Sequence, residues 1–373
     1  MNSYHLIPKK YYHVVLEGTS YEIGQQIADL LYKDKKLPIQ LLTSGTSDPL
    51  KLGFKEFKDV QAFMEEFCPG INDEIQGVAD KLNVDVKHIF YYDWILTGPP
   101  GMFGCTHFSV LGKATANHHT LTGRSYEWNA EQEDFVLCTT RIKGKPKHIG
   151  FSGLTFGRVE GLNEYGLSVT MSNGGIFGKK PNNTRGFVFW LVVRALLENC
   201  KSVEEATKFI KFIPVLGFFN FLISDNENIL LIECADGLKG FKKIDNLSQD
   251  YHLIVANSYT LPETVEFNKF NIPIRLNSAK WRRDFVESVL IQDHPNISID
   301  TIRKILSKKI PQGICAHWYS DGFGTDWSLI FDNTEPHTEV CFGAPTHNEW
   351  RLFNFDDPPG VREYDVILPD LKE

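Results

Sequence analysis

No stretch of this sequence is long and apolar enough to span a bilayer, although the chain runs to 373 residues. Its start, MNSYHLIPKKYYHVVLEG, lacks the charged-then-apolar order of a signal peptide, so the expectation is a soluble cytoplasmic protein with no membrane partner. A surplus of positive charge is also missing. The formal net charge of -8 arises from acidic and basic residues mixed along the chain, which offers a polyanion no basic face and argues against nucleic acid. Paired cysteines are absent: Cys68, Cys105, Cys138, Cys200, Cys234, Cys315 and Cys341 lie far apart with no CxxC, which excludes a zinc knuckle and a disulfide framework. Most of them read as small buried apolar residues. The pair His118-His119 lies in a polar turn with no nearby Cys or carboxylate to complete a metal site, and residues 174–180 lack phosphate-loop spacing. No metal and no cofactor are expected.

What the chain does have is a change of pattern near residue 100. Before it, a short strand over 12–16 precedes helices: Ser20 can cap a segment in which Ile23, Ile27, Leu30 and Leu31 recur at helical spacing. Further helices over 55–67, 71–82 and 86–96 stop at Cys68-Pro69-Gly70, at Asn83 and at Gly98-Pro99-Pro100-Gly101. Beyond that cluster, β-rich runs over 106–111, 120–128, 135–142 and 148–152 alternate with turns, as antiparallel hairpins do. Another hairpin turns through Asn163-Glu164-Tyr165-Gly166. Helix pairs over 187–199 with 203–212, and 279–291 with 299–310, separate the later strands over 219–224, 229–234, 251–257, 327–331, 339–342 and 351–355. The pattern predicts an α+β fold in which two packed sheets are covered by helices on both outer faces. It divides the chain into a helical region, 1–104, and a strand-rich region, 105–373.

The junction Gly104-Cys105-Thr106 presents a thiol where a breaker-rich loop feeds a strand. If the peptide before Cys105 is cut, the new α-amine has a reference pKa of about 7.7 to 8.0, near that of a thiol at about 8.5. One residue then supplies nucleophile and base, whereas an uncut cysteine needs a separate histidine; His317, with Asp321 and Asp326, is the candidate set for such a Cys-His mechanism. Downstream, Gly123-Arg124-Ser125-Tyr126-Glu127-Trp128 places a cation and a carboxylate on the strand expected to pair with that of Cys105. An arginine near a thiol favours thiolate, and a carboxylate near an α-amine orients it. Asn257 ends the apolar run Leu253-Ile254-Val255-Ala256, where its amide N–H can meet an oxyanion. Taken one at a time, these residues also suit a strand cysteine, a strand salt bridge and a turn asparagine.

As an ordered set, Gly104-Cys105-Thr106, Arg124 to Trp128 and Val255-Ala256-Asn257-Ser258 resemble the choloylglycine hydrolase superfamily, specifically its acyl-coenzyme A:isopenicillin N acyltransferase branch of N-terminal-nucleophile enzymes. The resemblance extends over Gly18-Thr19-Ser20-Tyr21-Glu22-Ile23-Gly24, Pro69-Gly70-Ile71, Glu74-Ile75-Gln76-Gly77-Val78-Ala79, and Phe156-Gly157-Arg158-Val159 through Glu164-Tyr165-Gly166-Leu167. It implies a four-layer αββα fold, autocatalytic cleavage before Cys105 and a retained N-terminal fragment. It also implies Cys105 as nucleophile, Arg124 and Glu127 beside it, and Asn257 at the oxyanion. The sequence departs from the family in two places. Glu127 stands where many relatives carry aspartate, and the late family arginine has no clean match, with Arg282 favoured over Arg283.

The leading expectation is therefore an amidase for small-molecule N-acyl amides, working through a thioester acyl-enzyme. In the alternative, acyl-coenzyme A loads the same acyl-enzyme and an amine resolves it. A third reading keeps the fold as a binding protein without catalysis. Met102, Phe103, Phe151, Phe156, Phe177 and the run Phe218-Phe219-Asn220-Phe221 suggest an apolar acyl side of the substrate.

Overall fold

Thr19, one residue before the expected Ser20, caps the first helix: its hydroxyl accepts from the Glu22 amide while the Glu22 carboxylate accepts from the Thr19 N–H. In the computed structural model, residues 4–34, 36–43, 48–50, 53–89, 91–92, 104–176, 179 and 185–371 are described. The first elements are β1 (Tyr4–Gly18), α1 (Ser20–Ile27), α2 (Ile39–Thr43), α3 (Phe57–Phe67) and α4 (Ile71–Leu82). A hairpin-rich stretch follows: β2 (Gly104–Val110), β3 (Leu121–Trp128), β4 (Val136–Ile142), β5 (His148–Gly153), β6 (Gly157–Arg158), β7 (Gly161–Asn163) and β8 (Ser168–Asn173). Then come α5 (Phe189–Asn199), α6 (Val203–Phe212), β9 (Phe218–Ser224), β10 (Asn228–Ala235), β11 (Leu238–Asp245) and β12 (His252–Val255). The chain continues with α7 (Pro273–Asp293), α8 (Ile299–Ser307), β13 (His317–Trp318), β14 (Phe323–Asp332), β15 (His337–Phe342), β16 (Trp350–Phe353) and β17 (Gly360–Leu371).

Among the described residues the strands form two sheets. A seven-stranded sheet has the order β12-β2-β3-β14-β15-β16, with β13 on β14. A ten-stranded sheet has the order β11-β10-β9-β8-β7-β5-β4-β1-β17, with β6 on β5. Helices α7 and α8 cover the outer face of the first, and α1, α5 and α6 that of the second. The result is an αββα sandwich. No helix among the described residues is long and apolar enough to cross a membrane.

Period-two alternation gives the two faces of β2 opposite characters. Phe108 and Val110 point outward and pack with Leu121, Val286, Leu290, Ile302, Ile305 and Ile330 under α7 and α8. Cys105, His107 and Ser109 point inward, toward the second sheet: His107 bonds Thr170 at 2.7 Å, and the Ser224 hydroxyl bonds that of Ser109 at 2.8 Å. Farther along the same inner layer the packing becomes aromatic, with Trp327 stacked between Tyr126 and Phe151 at centroid distances of 4.1 and 3.9 Å.

The N-terminal residues enter the larger sheet. β1 lies parallel to β4 on one side and antiparallel to β17 on the other, so it extends well beyond the short strand expected over 12–16. Neither β11 nor β17 stands out in the sequence. Both are edge strands whose exposed positions carry charge, as at Lys242 and Lys243 or at Glu363 and Asp365, which blurs the apolar alternation. Between α4 and α5, buried Arg194 donates to Glu74 at 2.9 Å and to Glu198 at 2.7 Å. Of the helix expected over 86–96, the first turn is 3-10 over Val86–His88, and residues 91–92 are α-helical. Residues 93–96 of that expectation, and the Gly98-Pro99-Pro100-Gly101 cluster, lie outside the described residues.

Candidate active site

Cys105 is the second residue of β2, buried between β12 and β3. Antiparallel pairing sets Cys105 opposite Tyr126 and His107 opposite Arg124, so the Arg124 side chain reaches diagonally to the sulfur, with Nη2 at 3.4 Å from Sγ. That guanidinium is held from the second sheet: Nε donates to Glu160 Oε2 at 2.9 Å and Nη1 donates to the Met171 carbonyl. Glu160 is itself fixed by Trp327 Nε1 at 2.9 Å. Burial pushes the Cys105 thiol up to about 11, with Arg124 opposing that rise and Glu127 adding to it.

The backbone nitrogen of Cys105 is also engaged. It donates to Asn257 Oδ1 at 2.9 Å, and Arg282 Nη2 donates to the same oxygen at 2.8 Å. Arg282 Nη1 donates to the Cys105 carbonyl at 2.6 Å and to Thr106 Oγ1 at 2.8 Å. Arg283 turns instead to the Ser258 hydroxyl. Asn257 Nδ2 donates to the Asn173 carbonyl at 3.0 Å, which uses one of its two hydrogens. The structure thus gathers Cys105, Arg124, Asn257 and Arg282 at one end of β2.

Glu127 lies opposite Gly104 in the ladder. Its Oε1 accepts from the Ser125 hydroxyl and from Thr325 Oγ1 at 3.3 Å, while its buried Oε2 has no hydrogen-bond partner. Burial raises this carboxyl to about 7, against the Ser125 bond and the charges of Arg282 and Arg124. Gly104 packs closely, since a Cβ there would sit 2.5 Å from the Phe323 ring and 3.3 Å from Glu127 Cβ and would push that ring aside. Gly175, with φ +81, is required twice over: a Cβ would also fall 2.3 Å from the Asn257 carbonyl oxygen.

Other sequence candidates fall elsewhere. His317 Nε2 contacts Cys315 Sγ at 3.8 Å and Thr346 at 2.8 Å, and Asp326 is buried in the inner layer with both carboxyl oxygens unpartnered. Asp321 sits in the turn after β13. His107, whose own ring bonds Thr170 and Ser172, is held neutral by burial. Among the described residues, therefore, no imidazole bonds the Cys105 sulfur. His119 bonds Asp332 at 2.6 Å rather than facing only solvent. Phe151, Phe156 and Phe221 are fully buried, as Cys105 is, and belong to the same apolar cluster; Met102, Phe103 and Phe177 lie outside the described residues. No group of three or more His, Cys, Asp or Glu among the described residues is arranged to hold a metal.

Residues 114–347, more than half of the chain, match the family described as acyl-coenzyme A:6-aminopenicillanic acid acyl-transferase. The chain belongs to this family. Membership in the acyl-transferase family places it among enzymes that act on carbon–nitrogen amide bonds outside peptides. The matched span contains Arg124, Glu127, Asn257 and Arg282 and begins after Cys105. No curated protein matches the sequence. Solved structures that it resembles include a penicillin V acylase from Agrobacterium tumefaciens, at TM-score 0.46 and 16% identity over 69% of this chain and 90% of that one. Another is a variant conjugated bile acid hydrolase from Clostridium perfringens, at TM-score 0.46 and 12% identity over 72% and 99%.

Two neighbours of the site, Glu160 and Asn173, carry no site role in the sequence reading, and Asn220 enters it only as part of the aromatic run over 218–221. Asn173, like Asn257, is an amide at the end of a strand, but the alternating Ser168-Val169-Thr170-Met171-Ser172 before it gives a weaker signal than the apolar run before Asn257. Glu160 follows directly on Phe156-Gly157-Arg158-Val159, and beside Arg158 it reads as one half of a local charge pair.

Proposed function

We propose that the protein is an N-terminal-nucleophile cysteine enzyme that cleaves linear amides of N-acylated small molecules, with Cys105 freed by cleavage after Gly104. The observation that carries this reading is that both heteroatoms of one residue are provided for: Sγ by Arg124 at 3.4 Å and the backbone nitrogen by Asn257 at 2.9 Å. A cysteine that borrows a histidine needs only its sulfur attended. One that supplies its own base needs its nitrogen oriented as well.

Maturation begins when Sγ attacks the Gly104 carbonyl carbon. The peptide C–N bond breaks, the nitrogen takes the thiol proton and becomes the α-amine, and water hydrolyses the resulting thioester to leave a Gly104 carboxylate. In turnover the α-amine accepts the thiol proton, Sγ bonds the substrate carbonyl carbon, and the proton passes to the leaving amine as its C–N bond breaks. Water then resolves the acyl-enzyme. Asn257 serves twice here: its oxygen holds the α-amine, and the second hydrogen of Nδ2 meets the oxyanion. The free Oε2 of Glu127 takes a hydrogen of that amine. After cleavage, fragment 1–104 stays bound through β1 and the Glu74–Arg194 ion pair.

The intact mass under denaturing conditions tests cleavage, with two fragments meeting at Gly104 and Cys105 expected. A stable single chain without turnover would favour the binding-protein reading. A panel of amides sharing one leaving amine tests specificity: rates should rise with acyl apolar area, at roughly 25 cal/mol per Å² buried until the pocket fills. Equal rates for acetyl, phenylacetyl and longer acyl groups would remove the apolar acyl site. A second reading, acyl transfer, is favoured by the description of the family itself. Acylation of 6-aminopenicillanic acid from an acyl-coenzyme A donor, faster than hydrolysis of that donor, would establish it.

A further inference from the structure

Asn257 sits at the apex of a three-residue turn, closed by the Ser258 N–H donating to the Ala256 carbonyl at 2.8 Å. Its apex carbonyl accepts from Asn271 Nδ2 at 3.3 Å, and the Asn257 side chain is bonded by Asn173, Cys105 and Arg282. The two ends of the turn are pinned from the other sheet. Asn220, on β9 opposite Ser172 of β8, directs Nδ2 at both carbonyls of the turn: Ala256 O at 3.0 Å and Ser258 O at 3.4 Å. The same nitrogen lies 3.3 Å from Ser172 Oγ, which is 3.5 Å from Ala256 O and 3.1 Å from His107 Nε2. Asn220 is completely buried, and its Oδ1 has no hydrogen-bond partner. An apolar side chain here would leave the Ser258 carbonyl without this donor and the Ala256 carbonyl with one donor fewer.

We propose that Asn220 is a positioning residue, which acts through Asn257 by fixing both ends of its turn so that Oδ1 stays on the Cys105 nitrogen. The proposal rests on the hydrolase reading above. Asn220 bonds the turn on either side of Asn257 and otherwise reaches only Ser172, with no bond to Cys105, so its main contribution to the reaction should pass through Asn257.

The test is a double-mutant cycle on hydrolysis of a phenylacetyl amide, with Cys105→Ala as control. Asn220→Ala should lower kcat by about 10 to 100-fold, as sub-ångström misplacement of a catalytic group does, with KM changed by less than about twofold. In an Asn257→Ala background the same change should have no further effect, within about twofold. Asn220→Ser, which keeps one donor, should fall between the two, and it carries the cycle if Asn220→Ala loses its cooperative melt. Wild-type kcat in Asn220→Ala, or an equal loss in both backgrounds, overturns the positioning role while leaving the hydrolase reading in place. Full turnover in Cys105→Ala overturns that reading, and the proposal with it.

Discussion

The two faces of β2 are built for different purposes. Outward, Phe108 and Val110 enter an apolar core under α7 and α8 in which many aliphatic contacts share the load. Inward, Cys105, His107 and Ser109 meet a polar layer in which each hydrogen bond has a specific partner on the opposite sheet or on β3. A core of the first kind tolerates repacking and yields stability in proportion to area. A layer of the second kind adds little net stability per bond but sets positions, because a buried donor or acceptor that loses its partner is costly. Away from Thr106, whose outward hydroxyl meets Arg282, a single strand thus separates stability from placement by side-chain parity.

The largest expected break is at Cys105 itself. Cys105→Ala should abolish turnover and leave one uncut chain by mass, since no side-chain nucleophile remains; cleavage persisting without added protease would remove the autocatalytic mechanism. On the outward face, Phe108→Ala should cost about 3–5 kcal/mol in urea unfolding, and the folded fraction should retain near-normal kcat. A variant of normal stability but poor kcat would show that the two faces are not separable. On the inward side, Asn257→Ala should slow turnover by about 100 to 1000-fold with a smaller change in the unfolding midpoint. Near-normal rates would take Asn257 out of the chemistry.

The smallest effect concerns Glu127. Its folded carboxyl titrates at about 7 instead of 4.5, so the native chain holds this proton more tightly than the unfolded chain. Between these values the unfolded state binds fewer protons, and this group makes stability fall as pH rises from about 4.5 to about 7. Glu127→Gln should flatten that part of the stability profile, measured as the difference in urea midpoint from wild type, and should impair maturation. An unchanged profile with normal mass would make Glu127 structural.

The hairpin of β2 and β3 was legible because its alternation is local and its ends are marked by glycine. The α7 helix was legible too, and with it the candidate Arg282, although only the fold separates it from Arg283 at the next position. Glu160 and Asn220 were not legible as site residues. Their partners, Arg124 and the carbonyls flanking Asn257, lie on the other sheet, and nothing local in a sequence reports which strands face each other across a sandwich. The place of Phe151 was illegible for a related reason: its stack with Trp327 is fixed by the packing of one sheet on the other.

The position of β1 between β4 and β17 has a consequence for any chain cut at Gly104. The smaller fragment then supplies an interior strand, and its departure would bare two strand edges at once. Cutting turns one molecule into an obligate pair: unfolding becomes a dissociation, the melting point rises with protein concentration, and recovery after denaturation becomes second order. An uncut Cys105→Ala chain should refold at a rate independent of concentration. The processed enzyme would behave as an assembly that was folded once, while its halves were still joined.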